Sequence, residues 1–541
     1  MTAPTPSFPS VAADAGVETF DLAIVGSGFA GSLLAMMARR LELRVLLVER
    51  DSHPRFAIGE SSTPLANLLL EELAAQWDLP MLASFSKWGS WRRDHPEIRC
   101  GLKRGFSFYR HRPGQTVADV RSSGHELLVA ASPNDRIADT HWLRSDLDAF
   151  LCGEAQALGA VYREHTEVAR AERKGPGWML ELRGPTGAHR ATARLLVDGS
   201  GPRGFLFRSL SLVEEPFEHL PTTSAVFAHF RGVKRWEDVG GVAPGAPPYP
   251  VDDAALHHVL DRGWAWVLRF AHGVTSAGVA METEAADKFG FQNPERAWGA
   301  VLDAYPGLAA QFDGAEAVES FRFWPRLSFR ASQAAGDDWA LLPFAAGFVD
   351  PLLSTGFPLT LLGVLRLGDV LKQLRDGVDF TPALAAYDAA TRRELAASED
   401  LISALYAVMD DFEVFRRLSL LYFTAAVYSE TVRRLGQPAR ARGFLLCDDP
   451  EFGPRMAGCC AQARTLRSRT GAERAALRSQ LLDEIQRVIG PYDLAGLGRP
   501  DRSSRFPVDL ADLYAARTKV GATSDDIDAM LRRCGAFPDQ H

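Results

Sequence analysis

Short, nearly unbroken apolar runs at Phe20–Val25, Leu43–Val48 and 191–198 read as strands buried on both faces, as in a parallel sheet. Ser32–Arg40 has helical character, and residues 66–78 and 142–158 carry the spacing of amphipathic helices. From about residue 220 to 330 the period changes to two. Thr222–Val233, His258–Phe270, Thr275–Glu284 and Glu319–Phe329 alternate apolar and polar positions, which predicts an antiparallel sheet. Trp339–Phe344 returns to a buried strand, and a helix follows from Gly356 to Leu374. Beyond 380 the period is helical, punctuated by Gly and Pro at 436–454 and 490–507. The pattern predicts an α/β fold in four parts. Residues 1–18 form a disordered tail, 19–220 and 330–376 a parallel-sheet unit split in sequence, 221–329 an antiparallel sheet, and 377–541 a helical region.

Composition narrows the function. The 541 residues suffice for a large buried core, and 46% hydrophobic with 24% charged residues excludes a disordered or low-complexity chain. A net charge of -8 argues against nucleic acid as the main partner. Six cysteines are too few for a disulfide scaffold, so a reducing cytoplasm is expected. No apolar run approaches the ~20 residues of a membrane span. The first basic residue is Arg39, so the N-terminus lacks the charged region of a signal peptide. Only seven of the 60 basic residues are lysine, which gives each lysine a little more weight as an amine that can lose its proton.

The first strand runs into Gly26-Ser27-Gly28-Phe29-Ala30-Gly31, and a helix opens there. This Gly-x-Gly-x-x-Gly turn suits a dinucleotide: Gly26 for the tight turn, Gly28 for close approach to the pyrophosphate, Gly31 for helix–strand packing. Glu49 closes the second strand at the distance expected for a ribose-binding carboxylate. Arg50 beside it, and Arg144 opening a later helix, are further cofactor candidates or simply solvated cations. Further turns follow at 59–64, at Asp198–Gly201 and at 345–351. Turns at three strand ends suit FAD, whose adenosine, pyrophosphate and isoalloxazine need separate strand ends. Nothing in the sequence suggests a separate NADPH domain.

Four further motifs appear in order. Gly59-Glu60-Ser61-Ser62-Thr63-Pro64, Lys103-Arg104-Gly105-Phe106-Ser107-Phe108, Trp264-Ala265-Trp266 and Asp350-Pro351-Leu352-Leu353-Ser354-Thr355-Gly356 together resemble the flavin-dependent halogenases, within the FAD monooxygenase-like class. The resemblance implies a flavin strap at Gly59, Glu60 and Ser61, an essential Lys103, and halide held by the amides of Ser354, Thr355 and Gly356. Ala30, Asp350 and Phe357 are carried over as cofactor contacts. Leu268-Arg269 replaces the usual Ile-Pro, Pro343-Phe344 replaces Gly-Asp, and Lys87–Cys100 looks like an insertion. Leu353 stands where tryptophan halogenases carry glutamate, which points away from free tryptophan.

The resemblance implies an FADH2-, O2- and chloride- or bromide-dependent enzyme, fed by a separate NAD(P)H flavin reductase. Hypohalous acid, steered by Lys103, would halogenate an electron-rich aromatic of phenolic or polyketide type, free or carrier-bound. The alternatives are an aromatic hydroxylase or a prenyl-type reductase on the same fold, and a non-catalytic flavin-binding protein. Several plainer readings stay open: a helix cap at Ser354-Thr355, a surface lysine at 103, core packing for the tryptophans, a satisfied or exposed His257-His258 pair. Cys447, Cys459 and Cys460 lack the second pair that a metal site needs.

Overall fold

The computed structural model describes residues 17–536. The tail expected at 1–18 lies outside the described residues except for its last two. Val17 and Glu18 already belong to the first strand, opposite Arg190 and Ala191.

The first sheet centres on Val17–Val25, which runs parallel to Val45–Val48 on one side and Gly187–Asp198 on the other. Leu22, Ala23, Ile24 and Leu46 are wholly buried. The helix Phe29–Arg40 packs on this sheet and against Arg144–Ala157 and Gly356–Asp376, which is why these strands carry no polar face. Val161–Arg163 adds a parallel edge; Trp178–Gly184 and Glu167–Arg173 extend the other side antiparallel. Trp339–Leu341 returns parallel to Leu196–Asp198 and rejoins the split unit.

The second sheet has nine strands. Its body is Thr223–Arg231, Thr275–Glu282, Gly263–Arg269 and Ala255–Leu260, antiparallel as expected. It reaches outside the expected 221–329 span. Gly105–Arg110 joins it parallel to Ala255–Leu260, and Glu126–Ala130 follows antiparallel. All six residues of Gly105–Arg110 are buried, so no alternation marks them as part of this sheet.

The segment expected as one strand over His258–Phe270 is a hairpin. Arg262 turns it in the left-handed region (φ 61°), a conformation that no Asn-Gly signal announces. Of Glu319–Phe329, only Arg322–Trp324 pairs with this sheet. The strand from Trp339 stops at Leu341, because Pro343 lacks an N–H and opens a short helix to Ala346.

Four long helices, Thr381–Ala407, Phe412–Arg434, Phe452–Leu466 and Gly471–Ile489, make up most of the C-terminal region. Among the described residues, no helix is long and apolar enough to cross a membrane. One core fills the space between the two sheets and these helices; a second, around Leu256, Val279, Trp298 and Leu308, lies on the sheet's far face.

Candidate active site

The turn after the first strand has the geometry its glycines predict. Gly26 sits at φ +100°, and a Cβ there would lie 2.6 Å from the Gly199 carbonyl oxygen. A Cβ on Gly31 would lie 2.1 Å from the Gly26 oxygen. Gly28 differs. Nothing stands nearer to its added Cβ than Asp148 Oδ2 at 3.6 Å, with the Arg55 and Arg144 guanidinium groups at 3.7 and 3.8 Å. The fold leaves that space open, at the N-cap of Phe29–Arg40 and beside two cations.

Glu49 is buried, and its carboxylate accepts from the Ser27 amide (3.1 Å), the Asp51 amide (3.2 Å) and Arg55 (3.1 Å). Burial pushes this carboxyl up, but the Arg55 guanidinium and the amides outweigh it and hold it below the ordinary value. Gly26, Glu49 and Arg50 line a hollow of about 220 Å³. Arg50 is well exposed, with Asp51 3.4 Å away.

A second hollow, of about 340 Å³, shares Gly199 and Ser200 with the first and lies within the usual range of small-molecule sites. Gly28, Ala30, Gly31, Gly59, Glu60, Ser61, Arg144, Ser354, Gly356 and Phe357 line it. Two hollows meeting across a phosphate-type turn, with an acid at one end and an aromatic cleft at the other, fit an extended FAD. Ala225, Phe227, Trp264, Trp266 and Leu268 form part of the aromatic end.

The strap residues are pinned from two directions. Arg144 is no solvated cation: it is buried, bonded to both oxygens of Asp148 at 2.8 Å, and it donates to the carbonyls of Ile58 and Gly59 at 3.1 Å. Glu60 Oε1 lies 2.8 Å from His229 Nε2, while Nδ1 of the same ring faces Glu319 at 3.1 Å. Burial lowers the His229 pKa, yet the two carboxylates overcome this and raise it above 6.5.

Lys103 ends the strand Cys100–Lys103 and is fully buried, not on a solvated surface. Its ammonium donates to Ser61 Oγ (2.9 Å) and the Ser62 carbonyl (2.5 Å), with the Phe106 ring centroid 3.8 Å away. Burial pushes its pKa well down, and Asp139, its partner across the strand pair, pulls it part of the way back. Lys103 stands one residue behind the cavity wall; Ser61, which takes its hydrogen bond, is the wall. Lys87, by contrast, bridges to Glu71 at 3.2 Å and anchors the short helix Trp88–Asp94.

The loop 350–356 is tightly wound. Leu353 and Ser354 both take positive φ (65° and 56°), and the Ser354 amide is engaged by the Pro351 carbonyl at 3.1 Å. Thr355 is the N-cap and Gly356 the first residue of the helix Gly356–Asp376, so their amides are among those without an intrahelical acceptor. Pro358, two residues on, has no N–H at all. Leu353 is wholly buried and does not reach the cavity. Asp350 also turns away from it: the Leu352 amide (3.0 Å) and the Tyr406 hydroxyl (3.0 Å) bond its carboxylate inside the protein. Burial pushes Asp350 up to about 6.

The histidine pair divides. His258 lies between His111 and Gln311, at 2.7 Å from each. His257 lines the cavity, stacked on Phe108 at 4.4 Å; burial, aided by nearby Lys103, lowers its pKa to about 3 and keeps the ring neutral. Arg55, Asp139, His229 and Tyr406 were not foreseen as site residues. Each is a single polar position inside an ordinary strand, loop or helix period, and only the fold brings it to the site.

Comparison with known proteins agrees with this geometry. A family model described as tryptophan halogenase matches residues 140–415. The monodechloroaminopyrrolnitrin halogenase PrnC of Pseudomonas fluorescens is 28% identical over 419 residues, 76% of this chain and 72% of that protein. The tetracycline 7-halogenase of Kitasatospora aureofaciens is 29% identical over 348 residues, 63% of this chain and 61% of that protein. The solved structure of halogenase PltM with phloroglucinol and FAD superposes with a TM-score of 0.80 at 25% identity, covering 90% of this chain and 99% of PltM. A family model that spans half of the chain and curated halogenase relatives agree with a two-lobed cleft that fits FAD. The chain belongs to the tryptophan-halogenase family of flavin-dependent halogenases, enzymes that use FAD, O2 and halide to halogenate aromatic rings.

Proposed function

We propose that this enzyme chlorinates or brominates an electron-rich, phenol-type ring with hypohalous acid directed by Lys103. The observation that carries the reading is the Lys103 ammonium, fully buried and hydrogen-bonded to the wall of the FAD cleft through Ser61. Reduced FAD, when bound, lets O2 oxidise halide to hypohalous acid. The chain's own residues do the rest.

Gly28 and the first amides of Phe29–Arg40 hold the pyrophosphate, Glu49 the ribose, and Gly59 to Ser61 the flavin edge. The amides of Thr355 and Gly356 hold the halide. Lys103 then either donates a hydrogen bond to hypohalous acid or, as neutral amine, takes the halogen and releases water. Its depressed pKa favours the neutral amine, a form arginine does not offer. The ring carbon accepts the halogen and gives up its proton. Trp264 and Trp266 wall the ring off from the flavin.

An apolar cavity whose walls include a neutral His257 suits a phenol, and PltM was solved with phloroglucinol. Two relatives act on pyrrole-2-carbonyl groups held on a peptidyl carrier protein, so a carrier-tethered ring is a second delivery mode. Reduced FAD arrives from a separate NAD(P)H reductase, since the second turn of this spacing, Gly199-Ser200-Gly201-Pro202-Arg203-Gly204, lines the same two hollows and builds no further dinucleotide domain. All six cysteines are unpaired, in keeping with a reducing cytoplasm.

The test combines enzyme, reductase, NADH and mixed chloride and bromide with phenols and with tryptophan, read by mass spectrometry. Lys103→Ala should abolish halogenated product while FAD binding and oxygen uptake persist and peroxide rises; Lys103→Arg should rescue poorly. Near-normal halogenation by a folded Lys103→Ala protein would sink the lysine's role. Tryptophan as best acceptor would sink the phenol assignment, and rapid flavin reduction by NADPH with the pure protein would remove the need for a reductase.

A further inference from the structure

We propose that Tyr406, in the C-terminal helical region, is a positioning residue that holds the loop 350–356 in its halide-binding shape. The inference rests on the reading that the amides of Thr355 and Gly356 bind halide. Trp264 Nε1 lies 3.1 Å from the Tyr406 hydroxyl, and an indole N–H only donates. The tyrosine oxygen is therefore the acceptor there, and its own hydrogen is directed at Asp350 Oδ2, 3.0 Å away. Thr223 Oγ1 adds a longer bond of 3.4 Å to the same oxygen, and the Leu352 amide donates to Oδ1 at 3.0 Å.

All the side chains in this relay are buried, so water does not replace a missing bond. The relay runs from a tryptophan of the cavity wall, through a helix outside the cofactor fold, to the first residue of the loop. Three and four residues after Asp350, Leu353 and Ser354 take left-handed backbone that non-glycine residues adopt only when their surroundings compel it. Fixing Asp350 fixes one end of that strained turn; the helix Gly356–Asp376 fixes the other.

Tyr406→Phe removes one hydroxyl and keeps the ring. Bromide is titrated against FAD-loaded protein at constant ionic strength and followed by the flavin absorption spectrum; FAD affinity is measured separately by fluorescence. The variant should bind bromide about tenfold more weakly and show a matching rise in bromide KM, as for loss of a bond to a charged group. FAD affinity and kcat at saturating bromide should stay within about threefold. Unchanged bromide binding overturns the proposal, and so does a parallel loss of FAD and bromide with a lower Tm, the mark of a merely structural tyrosine. If wild-type protein gives no saturable bromide response, the halide reading of the loop fails, and the brace falls with it. Should Tyr406→Phe not fold, Thr223→Val removes the longer bond to the same carboxylate; bromide binding unchanged there also overturns the inference.

Discussion

At the scale of single residues, the three glycines of the first turn do different work. Gly31→Ala drives a methyl to within 2.1 Å of a backbone oxygen that cannot yield, and should cost about 3 kcal/mol or more in stability. Gly28→Ala meets nothing closer than 3.6 Å, so its Tm should stay within about 2 °C while FAD affinity falls about tenfold. Thermal unfolding and flavin fluorescence, measured on both variants, check the split; equal losses of stability would refute it. The glycine spacing was legible because the turn is local in sequence. Lys103 was legible through its motif, but not its burial or its place behind Ser61, since Asp139, Ser61 and Phe106 come from different elements. Lys87→Ala should lose about 1 kcal/mol or less, as one partly exposed ion pair is removed, and should keep halogenation.

Among the elements, the strap at 59–61 is held by charges from a helix and from the second sheet. Arg144→Leu leaves the Asp148 carboxylate, wholly buried, without its partner, and should cost about 3–5 kcal/mol. The double variant Arg144→Leu/Asp148→Leu should recover part of that loss, as denaturant unfolding would show. His229 gives the strap a pH signature. Its folded pKa is raised, so the charged ring's contribution is complete below the unfolded value of 6.5 and is lost as pH rises through the folded value. The Tm gap between wild type and His229→Gln should therefore narrow from about pH 6 to about pH 9; a gap that widens would reverse the assignment. Strand periods had shown the two sheet types but missed the turn at Arg262, where arginine adopts a backbone that sequence assigns to glycine or asparagine.

For the whole molecule, the ordering of units along the chain was readable and their closure was not. The second sheet begins at Gly105, long before its main body, and its far edge is Arg505–Phe506, from a region whose period is helical. Arg505 binds Glu126 at 2.5 Å and the Ala243 carbonyl at 3.0 Å, while the Leu128 amide reaches the Ser504 carbonyl at 2.7 Å. Two residues of strand gave no pattern to read.

That late strand gives the molecule a schedule. On the ribosome, Glu126–Ala130 emerges with one side unpaired and waits for Arg505, an interval of tens of seconds at about 5–20 residues per second. For that time the nascent chain carries a free sheet edge of the kind that recruits other chains. A holding chaperone should raise the soluble yield of the full chain. A chain stopped just before Arg505 should stay poorly soluble under the same conditions, as sedimentation of fresh lysates would reveal.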